Sequence, residues 1–275
     1  MKLAVLSGKG GAGKTMVAAG LASVIPGAVY CDCDVEEPNG RLFLHPRGVT
    51  SRTVSVRVPE FDGEKCVGCR KCVKNCRFHA LIYVKEKPKL FEEVCHSCGL
   101  CSLVCPAGAV RERERIVGTV EEGMAGDGRV ITGILNPGES SGVGVIHAVL
   151  EAAGDAETVV IDYPPGSACS VTESIQDADF CLLVCEATAF GFHNFKMVHE
   201  LARLLGKPCA VVVNKTEGVY EPLEAYCRAE QLPVLGRIPY RAELAQLGAE
   251  GRPVTENVEM HRFFTDLWEK LGGAS

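Results

Sequence analysis

Short apolar runs alternate with longer helix-like stretches along most of the chain. The first pair opens the sequence, where KLAVLS (2–7) is followed by a glycine-rich turn and then by MVAAGLASVI (16–25). The same order of an apolar run and a polar turn recurs in the segments 28–40, 157–171, 178–206 and 207–215. Such alternation is typical of parallel sheets. The pattern therefore predicts an α/β fold, with a mostly parallel sheet covered by helices on both faces.

Composition narrows the classes of protein that this fold can belong to. The 275 residues suffice for one large domain and one small one. The net charge of −6, without a long basic run, argues against nucleic acid as a partner. Neither a secretory core nor an apolar stretch of membrane-spanning length is visible, so we expect a cytoplasmic protein without a membrane partner. In that compartment, fifteen cysteines predict metal ligands and buried thiols rather than disulfides.

The turn GKGGAGKT (8–15) lies between a predicted strand and a predicted helix, as phosphate-binding loops do. Its glycines allow backbone N–H groups to point inward, and the helix N-terminus adds to this anion site. Lys14 can reach the outer phosphates of a nucleotide, and the Thr15 hydroxyl can hold Mg²⁺. The predicted loop contacts are Gly8, Lys9, Gly10, Gly11, Ala12, Gly13, Lys14, Thr15 and Met16.

Lys9 gives the loop a second lysine. In this respect the loop resembles the deviant phosphate loop of the MinD/ParA/Mrp and nitrogenase iron-protein superfamily, K-G-G-x-G-K-T. The resemblance implies that Lys9 crosses a dimer interface to touch the partner's nucleotide. It therefore implies an ATP-dependent homodimer, or a heterodimer with a related chain. The alternative is a solvated loop lysine.

Two aspartates end the second apolar run, in CDCDVEEPN (31–39), and resemble the first switch of that superfamily. Alternation along a strand places Asp32 and Asp34 on one side, near the carboxyl edge where parallel sheets bind ligands. The resemblance implies that Asp34 orients the attacking water and that Asp32 supports the metal shell. Lys9, Lys14 and Asp34 are thus the predicted catalytic residues. Read alone, the two carboxylates could simply cap a turn.

The segment DYPPG (162–166) resembles the second switch, D-x-P-P-G. Asp162 would bind Mg²⁺ through water, in a shell with Thr15, Asp32 and Asp34. Pro164, Pro165 and Gly166 would form the loop that senses the γ-phosphate. Resemblance also assigns adenine contacts to Asn214 and to the segment around Pro239. The implied cofactors of this part are ATP and Mg²⁺.

Eight cysteines form a doubled pattern in the middle of the chain, with the second half ending in Cys105-Pro106. The pattern resembles the bacterial two-cluster ferredoxin module, in which the fourth cysteine of each half ligates the other cluster. The resemblance implies two [4Fe–4S] clusters. Cluster 1 would be held by Cys66, Cys69, Cys72 and Cys105, and cluster 2 by Cys95, Cys98, Cys101 and Cys76. Zinc is the alternative, because paired C-x₂-C hooks also bind it.

This cysteine cassette falls between the two switches, so it reads as an insertion. The predicted division is residues 1–58 for the first part of the ATPase domain, 59–115 for a small α+β bacterial-ferredoxin-like domain, and 116–275 for the second part. One departure from the ferredoxin pattern is Arg77, which follows Cys76 where a proline is usual. The whole chain resembles MinD-superfamily ATPases that contain an inserted ferredoxin domain.

Three functions are compatible with this organisation. The first is an ATPase that couples dimer rearrangement to electron transfer through the clusters, with a redox partner protein. The second is a maturation factor that carries or inserts iron–sulfur or other metal cofactors. The third is a partner-positioning ATPase in which the clusters are structural.

Two features outside these motifs carry weaker expectations. Cys169 follows the second switch and could join a subunit-bridging metal site, although inert packing is the default. The segment 260–273 has apolar residues on one helical stripe and a mixed-charge polar face, so we expect it to pack against the body rather than bind a membrane.

Overall fold

Nine strands form one sheet that runs through the whole molecule. The computed structural model describes residues 1–166 and 175–274. Seven strands of this sheet are parallel: β1 (Lys2–Ser7), β2 (Val29–Asp32), β7 (Gly128–Leu135), β8 (Val159–Asp162), β9 (Phe180–Glu186), β10 (Cys209–Thr216) and β11 (Val234–Pro239). Their order is β11-β10-β9-β1-β8-β2-β7. The predicted α/β fold with a mostly parallel sheet is confirmed.

Helices cover both faces of this sheet. They are α1 (Lys14–Val24), α2 (Gly40–Leu44), α5 (Val143–Ala153), α6 (Ala189–Leu204), α7 (Glu221–Ala229), α8 (Ala242–Ala249) and α9 (Val258–Ala274), whereas two short helices, α3 (Lys71–Asn75) and α4 (Leu100–Leu103), belong to the cysteine cassette. Two apolar clusters follow from this layering. One contains Ile146 and Phe195 on one face, and the other contains Leu21 and Phe264 on the opposite face. Parallel strands buried on both faces explain why their sequences read as continuous apolar runs.

Two long antiparallel strands complete the sheet beyond β7. They are β3 (Arg47–Phe61) and β6 (Val110–Ala125), and β6 pairs with both β7 and β3. The apolar pattern of the sequence assigns no strand to 47–58 or to 116–127. Both stretches carry more polar and glycine residues than a strand buried on both faces, which hides them from a reading based on apolar runs.

The far halves of β3 and β6 leave the sheet as a two-stranded ribbon. The pairing slips by one residue where Val54 faces Gly118 and Ser55 faces Ile116, which leaves Val117 as the extra residue of a β-bulge. Beyond the bulge the ribbon continues to the pair Phe61 and Val110. The predicted boundaries at 59 and 115 therefore fall inside two continuous strands.

The ribbon carries the cysteine cassette, residues 62–109, at its end. This segment contains α3, α4 and a separate antiparallel pair, β4 (Leu81–Val84) and β5 (Lys87–Leu90). The Asp62 N–H group donates to the Ala109 carbonyl oxygen at 2.8 Å, which closes the segment at its base. The cassette is thus an excursion between two strands of one sheet.

The C-terminal helix α9 packs on α1, as the sequence predicts. Phe264, Leu267 and Leu271 are buried there. Within residues 1–166 and 175–274, no helix is both long enough and apolar enough to cross a bilayer.

Gly20 of α1 is the point of closest approach between these two helices. A Cβ atom at Gly20 would lie 2.6 Å from the Phe264 ring. Gly20→Ala is therefore expected to lower the free energy of unfolding by about 1–3 kcal/mol, through overpacking. Gly272→Ala in α9 is the matched control, because a Cβ there meets no atom within 4 Å. Urea unfolding of both variants measures the difference, and equal stability of the two would contradict this packing.

Candidate functional site

The phosphate loop follows β1 directly and ends where α1 begins. Gly13 is the residue before the helix, and its φ of 92° is a left-handed conformation that suits glycine. Gly8 serves a different purpose, because a side chain there would collide with the backbone of Asn194 in α6. The glycine spacing thus meets two demands, a left-handed turn and a close approach to a neighbouring helix.

The loop forms one wall of an open cleft of about 1590 Å³. Ten of the predicted site residues line the cleft: Lys9, Gly10, Gly11, Gly13, Lys14, Thr15, Met16, Asp34, Pro164 and Pro165. The first and last of them, Lys9 and Pro165, are far apart in the sequence. The carboxyl edge of a parallel sheet brings them together, as expected.

Lys14 lies between two carboxylates at the bottom of this cleft. Its Nζ is 2.5 Å from Asp162 Oδ1 and 3.6 Å from Asp34 Oδ2. Burial opposes the charge of Lys14, but Asp162, Asp34 and Asp32 outweigh it and raise the pKa of the ammonium group. Lys14 therefore stays charged, and it forms ion pairs with these carboxylates while no phosphate is present.

Asp32 and Asp162 are direct neighbours on β2 and β8, and both are fully buried. Asp32 accepts hydrogen bonds from the backbone N–H groups of Gly40 at 2.8 Å and Asp34 at 3.3 Å. Burial, and next the nearby charge of Asp162, raises the pKa of Asp32 to about 8. Two adjacent buried carboxyls and a lysine make a site that can exchange a proton for a divalent cation.

Tyr30 belongs to this acidic site, and the sequence analysis missed it. Its hydroxyl donates to Asp162 Oδ2 at 3.0 Å, and burial together with Asp162 raises its pKa well above the usual value. A signal was present, because Tyr30 stands two residues before Asp32 and therefore on the same side of the strand. Asn39, which completes the first-switch pattern, also lines the cleft. Further cleft residues that the sequence did not indicate are Ser7, Val35, Glu36, Glu37, Leu42, Phe43, Gly142, Ile146 and Gly248.

The predicted adenine contacts lie apart from the rest. Asn214 is buried behind the phosphate loop, where its Nδ2 donates to the Ala12 carbonyl oxygen at 2.8 Å. Pro239 ends β11. Neither residue is among the described residues that line the cleft. Cys169, the candidate for a bridging metal site, lies outside the described residues.

Lys9 makes its contacts within its own chain. Its Nζ lies 2.5 Å from Glu186 Oε2, and it stands 5.5 Å from the centre of the Phe190 ring. Glu186 is the last residue of β9, and Phe190 lies in the first turn of α6. About a fifth of the Lys9 side chain remains exposed, so the residue lies at the surface beside the cleft.

The cassette brings the predicted cysteine sets together in two cavities. One is lined by the predicted cluster 1 ligands Cys66, Cys69, Cys72 and Cys105. The other is lined by the predicted cluster 2 ligands Cys76, Cys95, Cys98 and Cys101, and also by Cys72. Each set therefore includes one cysteine from the other half of the pattern.

Both cavities have features that suit a sulfur-rich group. The Ala109 N–H group donates to Cys105 Sγ at 3.3 Å, a contact that also suits a ligating thiolate. Ser97 Oγ is buried, lines the second cavity and has no hydrogen-bond partner among the described residues. Across residues 1–166 and 175–274, no three His, Cys, Asp or Glu side chains are arranged to hold one metal ion. The cysteines of each cavity therefore suit a cluster of several metal and sulfur atoms better than a single metal ion, and the Ser97 hydroxyl can donate a hydrogen bond to a group in the second cavity.

Comparison with known proteins places the ATPase part. Residues 3–254 match the family described as the CobQ/CobB/MinD/ParA nucleotide binding domain. The chain belongs to this family. Its sheet order and cleft agree with that assignment, since the phosphate loop, Asp34 and Asp162 meet at one edge.

Two further similarities support the assignment. An uncharacterized protein of Methanocaldococcus jannaschii, MJ0578, is 31% identical over 220 residues, which are 78% of each chain. The cell division ATPase MinD of Pyrococcus furiosus has the same fold, with a TM-score of 0.60 and 16% identity, over 99% of this chain and 98% of that chain. At that identity the structural likeness concerns the fold alone.

A shorter similarity concerns a ferredoxin. The uncharacterized ferredoxin MJ0722 of Methanocaldococcus jannaschii is 40% identical to this family member over 53 residues. Those residues are 18% of this chain and 69% of the ferredoxin.

The buried carboxyl of Asp32 leads to a stability prediction. Because the folded-state pKa of Asp32 is raised to about 8, the resulting stabilisation is fully present below the unfolded pKa and is lost as pH rises toward 8. Asp32→Asn escapes this loss while keeping an oxygen for the Gly40 N–H group. Its melting temperature without nucleotide should exceed that of the parent by about 2 °C or more at pH 8.

The margin between variant and parent should grow between pH 5 and pH 8. Asp266→Asn, at an exposed position of α9, is the control and should show no such trend. Thermal unfolding at several pH values measures both, and a margin that stays constant with pH would refute the assignment.

Proposed function

We propose that this chain is an ATPase that couples nucleotide-driven dimer rearrangement to electron transfer through two [4Fe–4S] clusters. The observation that carries the proposal is that two cavities of the cassette are each lined by the four ligands of one expected cluster, with Cys72 lining both. The cassette stands on a ribbon whose two strands belong to the ATPase sheet. Residues 59–115 act as the inserted domain.

The cleft residues have clear tasks with ATP and Mg²⁺. Backbone N–H groups of the loop hold the phosphates, and Lys14 exchanges its carboxylate partners for the outer phosphate oxygens. Thr15 and Asp162 hold the magnesium shell, with Asp32 behind them, while Asp34 orients the attacking water. The Gly166 N–H group donates to the Ser7 carbonyl oxygen at 2.9 Å, which ties the second switch to the phosphate loop.

The clusters would supply reversible one-electron chemistry at the eight cysteines. The remaining residues of the cassette position these thiols. The short helices α3 and α4 each carry the third cysteine of one half, Cys72 and Cys101, and the Ser97 hydroxyl can donate to the group beside it.

A maturation factor remains the second candidate, because Cys69 and Cys98 are exposed. An exposed thiol at each cluster gives an acceptor protein access to it. Anaerobic incubation with a cluster-free acceptor separates the two functions. Retained iron together with nucleotide-dependent potentials supports electron transfer, whereas iron lost to the acceptor supports maturation. A positioning ATPase would show neither effect.

Iron content gives the first test of the proposal. The chain purified without oxygen should hold about eight iron and eight sulfide per chain. Cys98→Ala should lose about half of both and one of two electron paramagnetic resonance signals. Cys227→Ala, at a buried position of α7, should keep them all. Stoichiometric zinc in place of iron would exclude the proposal.

Lys9 gives the second test, on the expected dimer. We expect it to leave Glu186 for the nucleotide of the partner subunit when ATP closes the dimer. Lys9→Ala should then lower the rate constant of ATP hydrolysis by about 100-fold or more. Lys196→Ala, which removes a lysine of α6 that likewise lies over an aromatic ring, Phe192, but does not line the cleft, is the control. Turnover measured against protein concentration should rise more steeply than linearly for the parent, and unchanged turnover in Lys9→Ala would disprove the role.

A further inference from the structure

The loop between β7 and α5, residues 136–142, lies between the nucleotide cleft and the cassette. We name it the bridge loop. Its first residue is fixed to the ribbon, because the Asn136 N–H group donates to the Val117 carbonyl oxygen at 2.8 Å and its Nδ2 to the Ile116 oxygen at 3.4 Å. Val117 is the bulge residue at which the ribbon leaves the sheet. The loop therefore holds the base of the structure that carries the cysteines.

The other end of the bridge loop touches the first switch. Gly142 lines the nucleotide cleft, as does Ile146 in the following helix. A Cβ at Gly142 would lie 2.6 Å from a Val35 methyl group, and the Leu135 N–H group donates to the Val35 carbonyl oxygen at 2.9 Å. Val35 is buried and follows Asp34 directly. A displacement of the first switch must therefore displace Gly142, since there is no free space between them.

The middle of the bridge loop reaches the surroundings of cluster 2. Glu139 accepts two hydrogen bonds from the Arg115 guanidinium, at 2.7 and 2.6 Å. Only 15% of the Arg115 side chain and 11% of the Glu139 side chain are exposed. Arg115 Nε is buried and has no hydrogen-bond partner among the described residues, while Glu92 Oε2 lies 4.0 Å away. The pair is a partly buried, bidentate ion pair, in which both charge and geometry are specific.

One cavity is lined both by this ion pair and by the cluster 2 segment. Cys95, His96 and Ser97 contribute to its lining from the cassette, and Glu139, Ser141, Val143 and Gly144 contribute from the bridge loop and the start of α5. Arg57 and Arg115 come from the ribbon. The cluster 1 cavity, in contrast, is lined by residues 61–72, 88 and 105–110. The bridge loop thus shares a cavity with the cluster 2 segment and contributes nothing to the lining of the cluster 1 cavity.

We propose that the bridge loop carries the nucleotide state from Val35 to cluster 2, through the ion pair between Glu139 and Arg115. Movement of Gly142 on nucleotide binding changes how closely Glu139 neutralises Arg115. Cluster 2 is then the nucleotide-responsive cluster and cluster 1 is not. The inference rests on the proposed function, because it names the connection and the cluster by which nucleotide and redox states are coupled.

The sign of the effect follows from charge. Reduction adds one negative charge to a cluster, so an uncompensated Arg115 cation nearby favours the reduced form and raises the midpoint potential. Removing the Glu139 charge should therefore raise the potential of cluster 2, and removing the Arg115 charge should lower it. A merely structural role would give both substitutions the same direction.

The experiment is a redox titration of both clusters by electron paramagnetic resonance, using the full chain with no nucleotide, with ADP and with a non-hydrolysable ATP analogue. In Glu139→Gln without nucleotide, the ratio of reduced to oxidised cluster 2 at fixed potential should rise at least threefold. In Arg115→Gln it should fall. The nucleotide-dependent shift of cluster 2 should disappear in both variants, while the midpoint potential of cluster 1 stays at the parent value.

The matched control is Glu122→Gln. It breaks another Glu–Arg pair, between Glu122 of β6, the strand that also contains Arg115, and Arg129 of β7, away from the cassette. It should titrate like the parent. If the parent shows a nucleotide-dependent shift and Glu139→Gln keeps it, the bridge loop is not the connection, although the proposed function stands. If the parent shows no shift in either cluster, the proposed coupling itself fails.

Hydrogen exchange supplies a readout that does not depend on the clusters. Nucleotide binding should change the exchange rates of the amides of Leu135, Asn136 and Glu139 in the parent, and the change at Asn136 should be smaller in Glu139→Gln. Unchanged exchange of all three amides on addition of the ATP analogue would overturn the inference even if Glu139→Gln loads its clusters poorly.

Discussion

Two carboxyl groups buried side by side set the conditions for the rest of the cleft. Asp32 and Asp162 end neighbouring strands and have no contact with solvent. Such a pair is stable only when a proton, a cation or a metal ion compensates it. Lys14 and the proton of Asp32 do so in the nucleotide-free chain. A nucleotide with Mg²⁺ must replace these interactions, which links occupancy of the cleft to the positions of β2, β8 and the loops that follow them.

The nine-stranded sheet gives that link a direction. The first switch follows β2, and β7 lies next to β2 in the sheet, followed in order by β6 and β3. The cassette is carried by β3 and β6, so strand order alone places it on the switch side of the molecule. The phosphate loop lies toward the other side, after β1. Displacements are transmitted across a sheet through its paired backbones. A movement of the first switch therefore reaches the insertion through the neighbouring strands β7 and β6.

Charge neutralisation recurs at the cassette. Arg115 stands between Glu139 of the ATPase body and the segment that contains Cys95, so the region joining the two parts is ionic as well as mechanical. Lys9, in the lining of the cleft, is likewise paired with an acidic residue, Glu186. In both places a basic side chain forms an ion pair with a carboxylate of its own chain.

The sequence by itself determined the motifs and the fold class. Three local features carried that information: the glycine spacing, the apolar runs that end in Asp32 and Asp162, and the doubled cysteine pattern. Each involves residues that are close together in the sequence, so each can be recognised without the structure. Tertiary structure alone decided the strands that the apolar pattern hides, the contact of Tyr30 with Asp162, the burial of Asn214 behind the loop, and the position of residues 136–142. Each of these depends on which strands are neighbours, and strand order is fixed by the packing of the whole sheet rather than by any one segment.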